Sequence, residues 1–132
     1  MYVFDTFAML AYFLAEPGGE KVKELLRRAE NGETSLAMSM INIGEMFYIL
    51  SREQGPSKVQ SILEDLRSLP IRFYDSTENR ILAAAQLKAE YPISYADAFA
   101  ASLAQELGAS LVTGDPEFKK IKQNLSLVWL DK

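Results

Sequence analysis

Short apolar runs alternate with longer amphipathic stretches along this chain. Tyr2-Val3-Phe4 reads as a short buried strand closed by Asp5. Thr6 to Ala15 is almost wholly apolar and too long for one strand, so it predicts a buried helix, broken by Glu16-Pro17-Gly18-Gly19. Glu20 to Glu30 carries Val22, Leu25, Leu26 and Ala29 at the i, i+3, i+4, i+7 spacing of an amphipathic helix, and Asn31-Gly32 stops it. Thr34 to Met38 predicts a second strand, and Met40 to Gln54 a helix ended by Gly55-Pro56. Ser57-Lys58-Val59-Gln60 has the form of a capping box opening a helix that runs to Pro70. Ile71 to Tyr74 is a third strand. Helices over Thr77 to Glu90 and Tyr95 to Leu107 follow, stopped by Tyr91-Pro92 and Gly108. Leu111-Val112 and Leu127 to Leu130 complete five strands.

Strands alternating with helices predict an α/β fold with a mainly parallel sheet covered on both faces. In such sheets ligands gather beyond the carboxyl ends of the strands, near the switch in strand order. Asp5 and Asp115 both follow predicted strands. If those strands are neighbours, the two acids face one crevice.

Composition narrows the chemistry. The 132 residues suit one domain with a real core, and 48% apolar with 24% charged residues describes a globular chain. There is no histidine and no cysteine. Ser-His-Asp triads, Cys-His pairs, zinc clusters of His and Cys, and histidine acid–base catalysis are therefore excluded. No apolar run reaches the ~20 residues of a membrane span. The chain opens directly on a strand, without a basic leader, so no signal peptide is expected. The lack of cysteine suits a cytoplasmic location. A net charge of −4 does not advertise nucleic-acid binding, although acids sharing one metal site would make the mean charge a poor guide to the local field.

Four acids hold the chemical interest: Asp5, Glu45, Asp97 and Asp115. Each also has a capping explanation. Asp5 can cap the helix starting at Thr6, and Asp115 precedes Pro116 as an N-cap would. Asn42-x-x-Glu45 and Ser94-x-x-Asp97 have capping-box spacing. That explanation suits Glu45 poorly, since the preceding strand ends nearer Ser39. It also gives no reason for a charge at Asp97 among Tyr95, Ala96, Ala98, Phe99 and Ala100, where an unpaired carboxylate is costly. Gathered in one pocket at ~5 Å, each pair of carboxylates would repel by about 3 kcal/mol at an effective dielectric near 20. A divalent cation reverses that sign. Hard oxygen ligands suit magnesium or manganese, which can activate a water and neutralise a phosphoryl-transfer transition state.

The ordered set Val3-Phe4-Asp5-Thr6, Asn42-x-x-Glu45, Tyr95-Ala96-Asp97-Ala98 and Leu111-Val112-Thr113-Gly114-Asp115-Pro116-Glu117-Phe118 resembles the PIN domain family over essentially the whole chain. Within that family it resembles the VapC toxins of type II toxin–antitoxin pairs. The resemblance implies a single PIN domain over residues 1–132, with a three-layer α/β/α fold and a five-stranded parallel sheet of order 3-2-1-4-5. It implies a Mg²⁺- or Mn²⁺-dependent ribonuclease cleaving single-stranded or structured RNA, a small VapB-type antitoxin partner and a homodimer. It makes Asp5, Glu45, Asp97 and Asp115 the catalytic, metal-binding acids, with Thr6 and Thr113 as supporting hydroxyls. Glu117 matches a position that is often Asp.

Rival readings remain open at this point. Val3-Phe4-Asp5-Thr6-Phe7 and Gly114-Asp115 resemble motifs of haloacid dehalogenase-type phosphatases, but residue 7 is Phe where those enzymes carry a second Asp. Lys119 also stands where a further acid would be expected. A receiver domain would need an acidic pair after the first strand, and Thr6 follows Asp5. A catalytically silent PIN-like scaffold is a third reading, which the four intact acids oppose. Lys119, Lys120 and Lys122 could meet phosphate, and Lys21, Lys23, Arg27 and Arg28 lie on the second helix; a solvated polar face, which an amphipathic helix needs, is the stronger explanation for both groups. Phe7, Tyr12 and Phe13 read as core or subunit contact, because the first helix has no polar face.

Overall fold

The structure, a computed structural model, describes residues 1–121 and 124–130. Five strands, β1 (Tyr2–Phe4), β2 (Leu36–Ser39), β3 (Ile71–Tyr74), β4 (Ser110–Thr113) and β5 (Ser126–Trp129), form one sheet of order β3-β2-β1-β4-β5. Every pairing is parallel. Six helices complete the fold: α1 (Thr6–Phe13), α2 (Gly19–Glu30), α3 (Met40–Gln54), α4 (Pro56–Arg67), α5 (Glu78–Glu90) and α6 (Tyr95–Leu107). A short 3₁₀ turn, Pro116–Lys120, leads from β4 towards β5. The three-layer α/β/α architecture and strand order match the sequence expectation.

Alternation along the strands sorts the core into two halves. Phe4, Leu36, Met38 and Val112 point to the face covered by α1, α2, α3 and α4. Val3, Ala37 and Leu111, one residue out of step, point to the face covered by α5 and α6. This is the period-two geometry of a strand buried on both sides. It explains why the strands carry near-continuous apolar residues. The buried side of α1 is Ala8, Met9 and Ala11, and its remaining apolar side chains pack partly buried against the same core half. The missing polar face of α1 is thus met largely by the core.

Three local expectations are corrected. β2 starts at Leu36 rather than Thr34, leaving the polar Thr34-Ser35 outside, and it runs on to Ser39, which caps α3 by accepting the Ile41 amide. α1 ends at Phe13, with Ala15 in a left-handed conformation at φ 53°. The capping box at Ser57 does not form. Gly55 stands at the cap of α4 and Pro56 takes the first helical position, where its fixed φ and missing N–H cost nothing. Ser57 therefore lies inside the helix.

Crossing from β1 to β4 on one side and to β2 on the other puts the switch in strand order at β1. Register pairs Phe4 with Val112, so the next residue along each of the two chain segments emerges beside the other. Those residues are Asp5 and Thr113.

Candidate functional site

Asp5 leaves β1 in an extended conformation and caps α1, its Oδ1 accepting the Ala8 amide at 2.8 Å. Its Oδ2 accepts the hydroxyl proton of Thr113. The Thr113 hydroxyl in turn accepts the Asp115 amide at 3.0 Å, and Asp115 caps the 3₁₀ turn by accepting the Glu117 amide at 2.9 Å. A single threonine therefore ties the ends of β1 and β4 together. The capping and clustering readings of Asp5 and Asp115 are not alternatives. Each acid uses one oxygen as a cap, and the other is left for the crevice or, in Asp5, for Thr113.

Asp97 arrives from the other layer. Ser94 caps α6 by accepting the Asp97 amide at 3.1 Å, which sets Asp97 in the first turn of the helix. The cap reading of Asn42 fails, because Ser39 is the cap and Asn42 is already within the first turn of α3. Asn42 is fully buried. Its Nδ2 donates to the Ala96 carbonyl at 3.1 Å and to the Thr6 hydroxyl at 3.3 Å, while Thr6 donates back to the Asn42 carbonyl at 3.3 Å. α3 is thus bound to α1 and α6, and Glu45 follows Asn42 by one turn.

Electrostatics show that the acids share a field. Asp5 is 1% exposed. Burial pushes its carboxyl up from 3.8 to about 7, opposed by the Thr113 and Ala8 hydrogen bonds and reinforced by repulsion from Asp97 and Asp115. Asp97 also rises to about 7, first through burial, then through repulsion from Asp115, with smaller contributions from Glu45 and Glu117, against the Ser94 hydrogen bond. Glu45, Asp115 and Glu117 are half-buried. The structure thus brings all four predicted acids, with Glu117, into one electrostatic neighbourhood. No basic side chain among the described residues forms an ion pair with Asp5, Glu45, Asp97 or Asp115; Lys120 lies 3.8 Å from Glu117.

The donor set is all carboxylate and hydroxyl, the chemistry that a hard divalent cation selects. Among the described residues no three acidic side chains are drawn together closely enough to grip an ion as they stand. A cation bound among them would offset their mutual repulsion. A cavity of about 730 Å³ lies elsewhere, at the opposite end of α1 from Asp5, lined by Tyr12, Phe13, Lys23, Asp65 and Leu69 among others.

Two neighbours of the acids make contacts that the sequence does not show. Phe7 lies against the turn after β4, where a Cβ on Gly114 would run into its ring. Asn42 was legible only as part of a motif, and its bridging contacts depend on tertiary structure. Lys119 and Lys120 are exposed, Lys119 over the Trp129 ring and Lys120 bonded to the Pro92 carbonyl; Lys122 lies outside the described residues.

The profile of the PIN domain matches residues 2–124. The chain belongs to the PIN domain family. Solved structures similar to this PIN domain include VapBC complexes and a VapC toxin. A VapBC2 complex from Rickettsia felis, bound to a DNA fragment from its promoter, is 26% identical with a TM-score of 0.78, covering 98% of each chain. A DNA-bound VapBC from Salmonella typhimurium gives 21% identity and a TM-score of 0.76 over 96% of each chain. VapC20 of Mycobacterium tuberculosis, a Sarcin-Ricin loop cleaving toxin, gives 17% and 0.72, over 90% of this chain and 93% of its own. The comparison with curated proteins gives no match. Among the described residues no helix of this PIN domain is long and apolar enough to cross a membrane.

Proposed function

We propose that this PIN domain, spanning residues 1–132, is a Mg²⁺- or Mn²⁺-dependent endoribonuclease of the VapC type, held in check by a small antitoxin. The observation that carries the reading is the meeting of Asp5, Asp97, Asp115 and Glu45 at the β1–β4 switch. Burial and mutual repulsion there push Asp5 and Asp97 to about 7.

Asp5, Glu45, Asp97 and Asp115 would hold the cation; bound there, it would supply charge neutralisation at the phosphate and a water of lowered pKa. The chain's own part is positional. Thr113 holds Asp5 in one rotamer and the backbone of Asp115 beside it. Ser94 and Asn42 fix the first turn of α6 under Asp97. Glu117, half-buried two residues beyond Asp115, adds negative charge to the rim. Cleavage of single-stranded or structured RNA in line with the leaving 3′ oxygen would leave a 3′-hydroxyl and a 5′-phosphate.

The same excess of carboxylate supports a partner with a basic side chain. An arginine fork reaching two of the acids would compete with the cation. On α3, Met46 and Leu50 are core residues, whereas Phe47 and Tyr48 are exposed and Ile49 half-buried, so of these five the latter three offer apolar contact to a partner or to a second copy of the chain. Expression of the chain alone should slow growth, and co-expression of an adjacent small open reading frame should restore it. A harmless wild-type chain that captures no neighbour-encoded protein would remove the toxin role while leaving the nuclease to be tested separately.

A further inference from the structure

We propose that Asn42 is the positioning residue of the acidic site, fixing Asp5, Glu45 and Asp97 relative to one another without touching substrate. The inference rests on the cation-binding role proposed above for the acids.

The acids come from separate parts of the chain. Asp5 ends β1, Glu45 is on α3, and Asp97 opens α6. Asn42 is the side chain that joins these elements. It lies on α3 one turn before Glu45. Its amide nitrogen reaches the carbonyl of Ala96, the residue before Asp97, at 3.1 Å. The same nitrogen reaches the hydroxyl of Thr6, the residue after Asp5, at 3.3 Å. Thr6 returns a bond to the Asn42 backbone at 3.3 Å, closing a reciprocal pair between α1 and α3. Each bond thus ends one residue away from an acid.

Burial makes these bonds strong constraints. Asn42 is 0% exposed and Thr6 6%. A buried amide donor without acceptors is costly, so the two acceptors are held in place by the same energy that satisfies the amide. The carbonyl at Ala96 needs a donor, which identifies Nδ2 as the atom facing it. Oδ1 is left buried with no hydrogen-bond partner among the described residues, so the side chain is retained despite an unsatisfied acceptor. A residue selected for core packing alone would be apolar at such a position, as its helix neighbours Ile43, Met46 and Leu50 are. An outer partner that orients metal-binding groups typically changes metal affinity by about 10–100-fold when removed.

The test measures Mn²⁺ binding by calorimetry and by the electron paramagnetic resonance of free Mn²⁺, with folding followed by circular dichroism. Asn42→Leu keeps the branched shape in a somewhat larger side chain and removes the bridge. It should weaken Mn²⁺ binding at least 10-fold in protein that remains folded. Leu50→Ala, a core lesion on the same helix, should lose stability yet bind Mn²⁺ as the wild type does. If Asn42→Leu does not fold, Thr6→Val removes one acceptor of the bridge and Thr6→Ser keeps it; the serine form should bind Mn²⁺ more tightly than the valine form. Equal binding by wild type, Asn42→Leu and Leu50→Ala, or by Thr6→Val and Thr6→Ser, overturns the positioning role. Asp97→Asn separates the two claims: if it weakens Mn²⁺ binding while Asn42→Leu does not, the acidic site stands and the role of Asn42 falls. If wild type itself binds no Mn²⁺, both fall.

Discussion

Thr113 donates its hydroxyl proton to Asp5 while accepting the backbone amide of Asp115. That one oxygen links the ends of two strands already paired along their length, and it bonds to both strand-end acids. Thr113→Val keeps the shape and removes both bonds. The Asp5 carboxylate would lose a donor that lowers its pKa, and a buried group without its partner costs about 1–3 kcal/mol. Thermal melts should show destabilisation of that order, and RNA cleavage should fall about 10–100-fold, with Thr113→Ser retaining much of both. Equal activity in the valine and serine forms would show that the hydroxyl has no part in the site.

Gly114 and Phe7 make the second constraint. No Cβ fits at Gly114 without displacing the Phe7 ring. Gly114→Ala should therefore shift the turn carrying Asp115 or push Phe7 outward, at a cost of about 1–3 kcal/mol typical of overpacking. The double variant Gly114→Ala with Phe7→Leu should recover stability and activity together. Failure of the smaller side chain to relieve the alanine would place the strain in the backbone instead.

Much of this arrangement was readable beforehand, and for physical reasons. Asp5 and Asp115 follow apolar strands, and the family resemblance implied a strand order that makes those strands neighbours, so their meeting could be anticipated. Asp97 stood out because a charge amid Tyr95, Ala96, Ala98 and Phe99 has no packing rationale. The Asn42 bridge spans 36 positions to Thr6 and 54 to Ala96, and no local pattern encodes such contacts. The false capping box at Ser57 arose because capping spacing is short and common, whereas Pro56 decided where the helix begins. Phe7 looked like core material and is partly that, but its contact with Gly114 depends on which strand lies beside β1.

Stability of the metal-free protein should depend on pH in a direction opposite to that of an ordinary paired carboxylate. Asp5 and Asp97 sit at about 7 when folded, against 3.8 unperturbed. Below about 3.8 both states hold these protons and the groups contribute no penalty. Between 3.8 and 7 the folded chain keeps protons that the unfolded chain releases, so stability falls as pH rises and levels off above about 7. Melting midpoints should drop from pH 5 to pH 8, and Mg²⁺ should raise the pH 8 value more than the pH 5 value, since cation binding displaces the protons. Asp97→Asn should flatten the profile. A midpoint that rises steadily over this range would contradict the raised carboxyls.

Self-association should use α3 and α5 rather than α1. Phe47, Tyr48, Ile81 and Leu82 are exposed there, Leu82 at 59%. A homodimer of the 14.8 kDa chain should appear in sedimentation at micromolar concentration, and Leu82→Glu should shift it towards monomer. A wild-type chain sedimenting only as monomer would remove the dimer.

The most direct measurement of the central claim is cleavage of a 5′-labelled single-stranded RNA by wild type and Asp97→Asn, in Mg²⁺ or Mn²⁺ and again in EDTA. Asp97→Asn keeps the side-chain size and the Ser94 cap to its amide, so its fold should be intact by circular dichroism. Wild type should cut with either cation, leaving 3′-hydroxyl ends, and should lose all activity in EDTA. Asp97→Asn should lose at least 100-fold with metal present. Undiminished cleavage in EDTA, or full activity in Asp97→Asn, would contradict a cation-dependent acidic site.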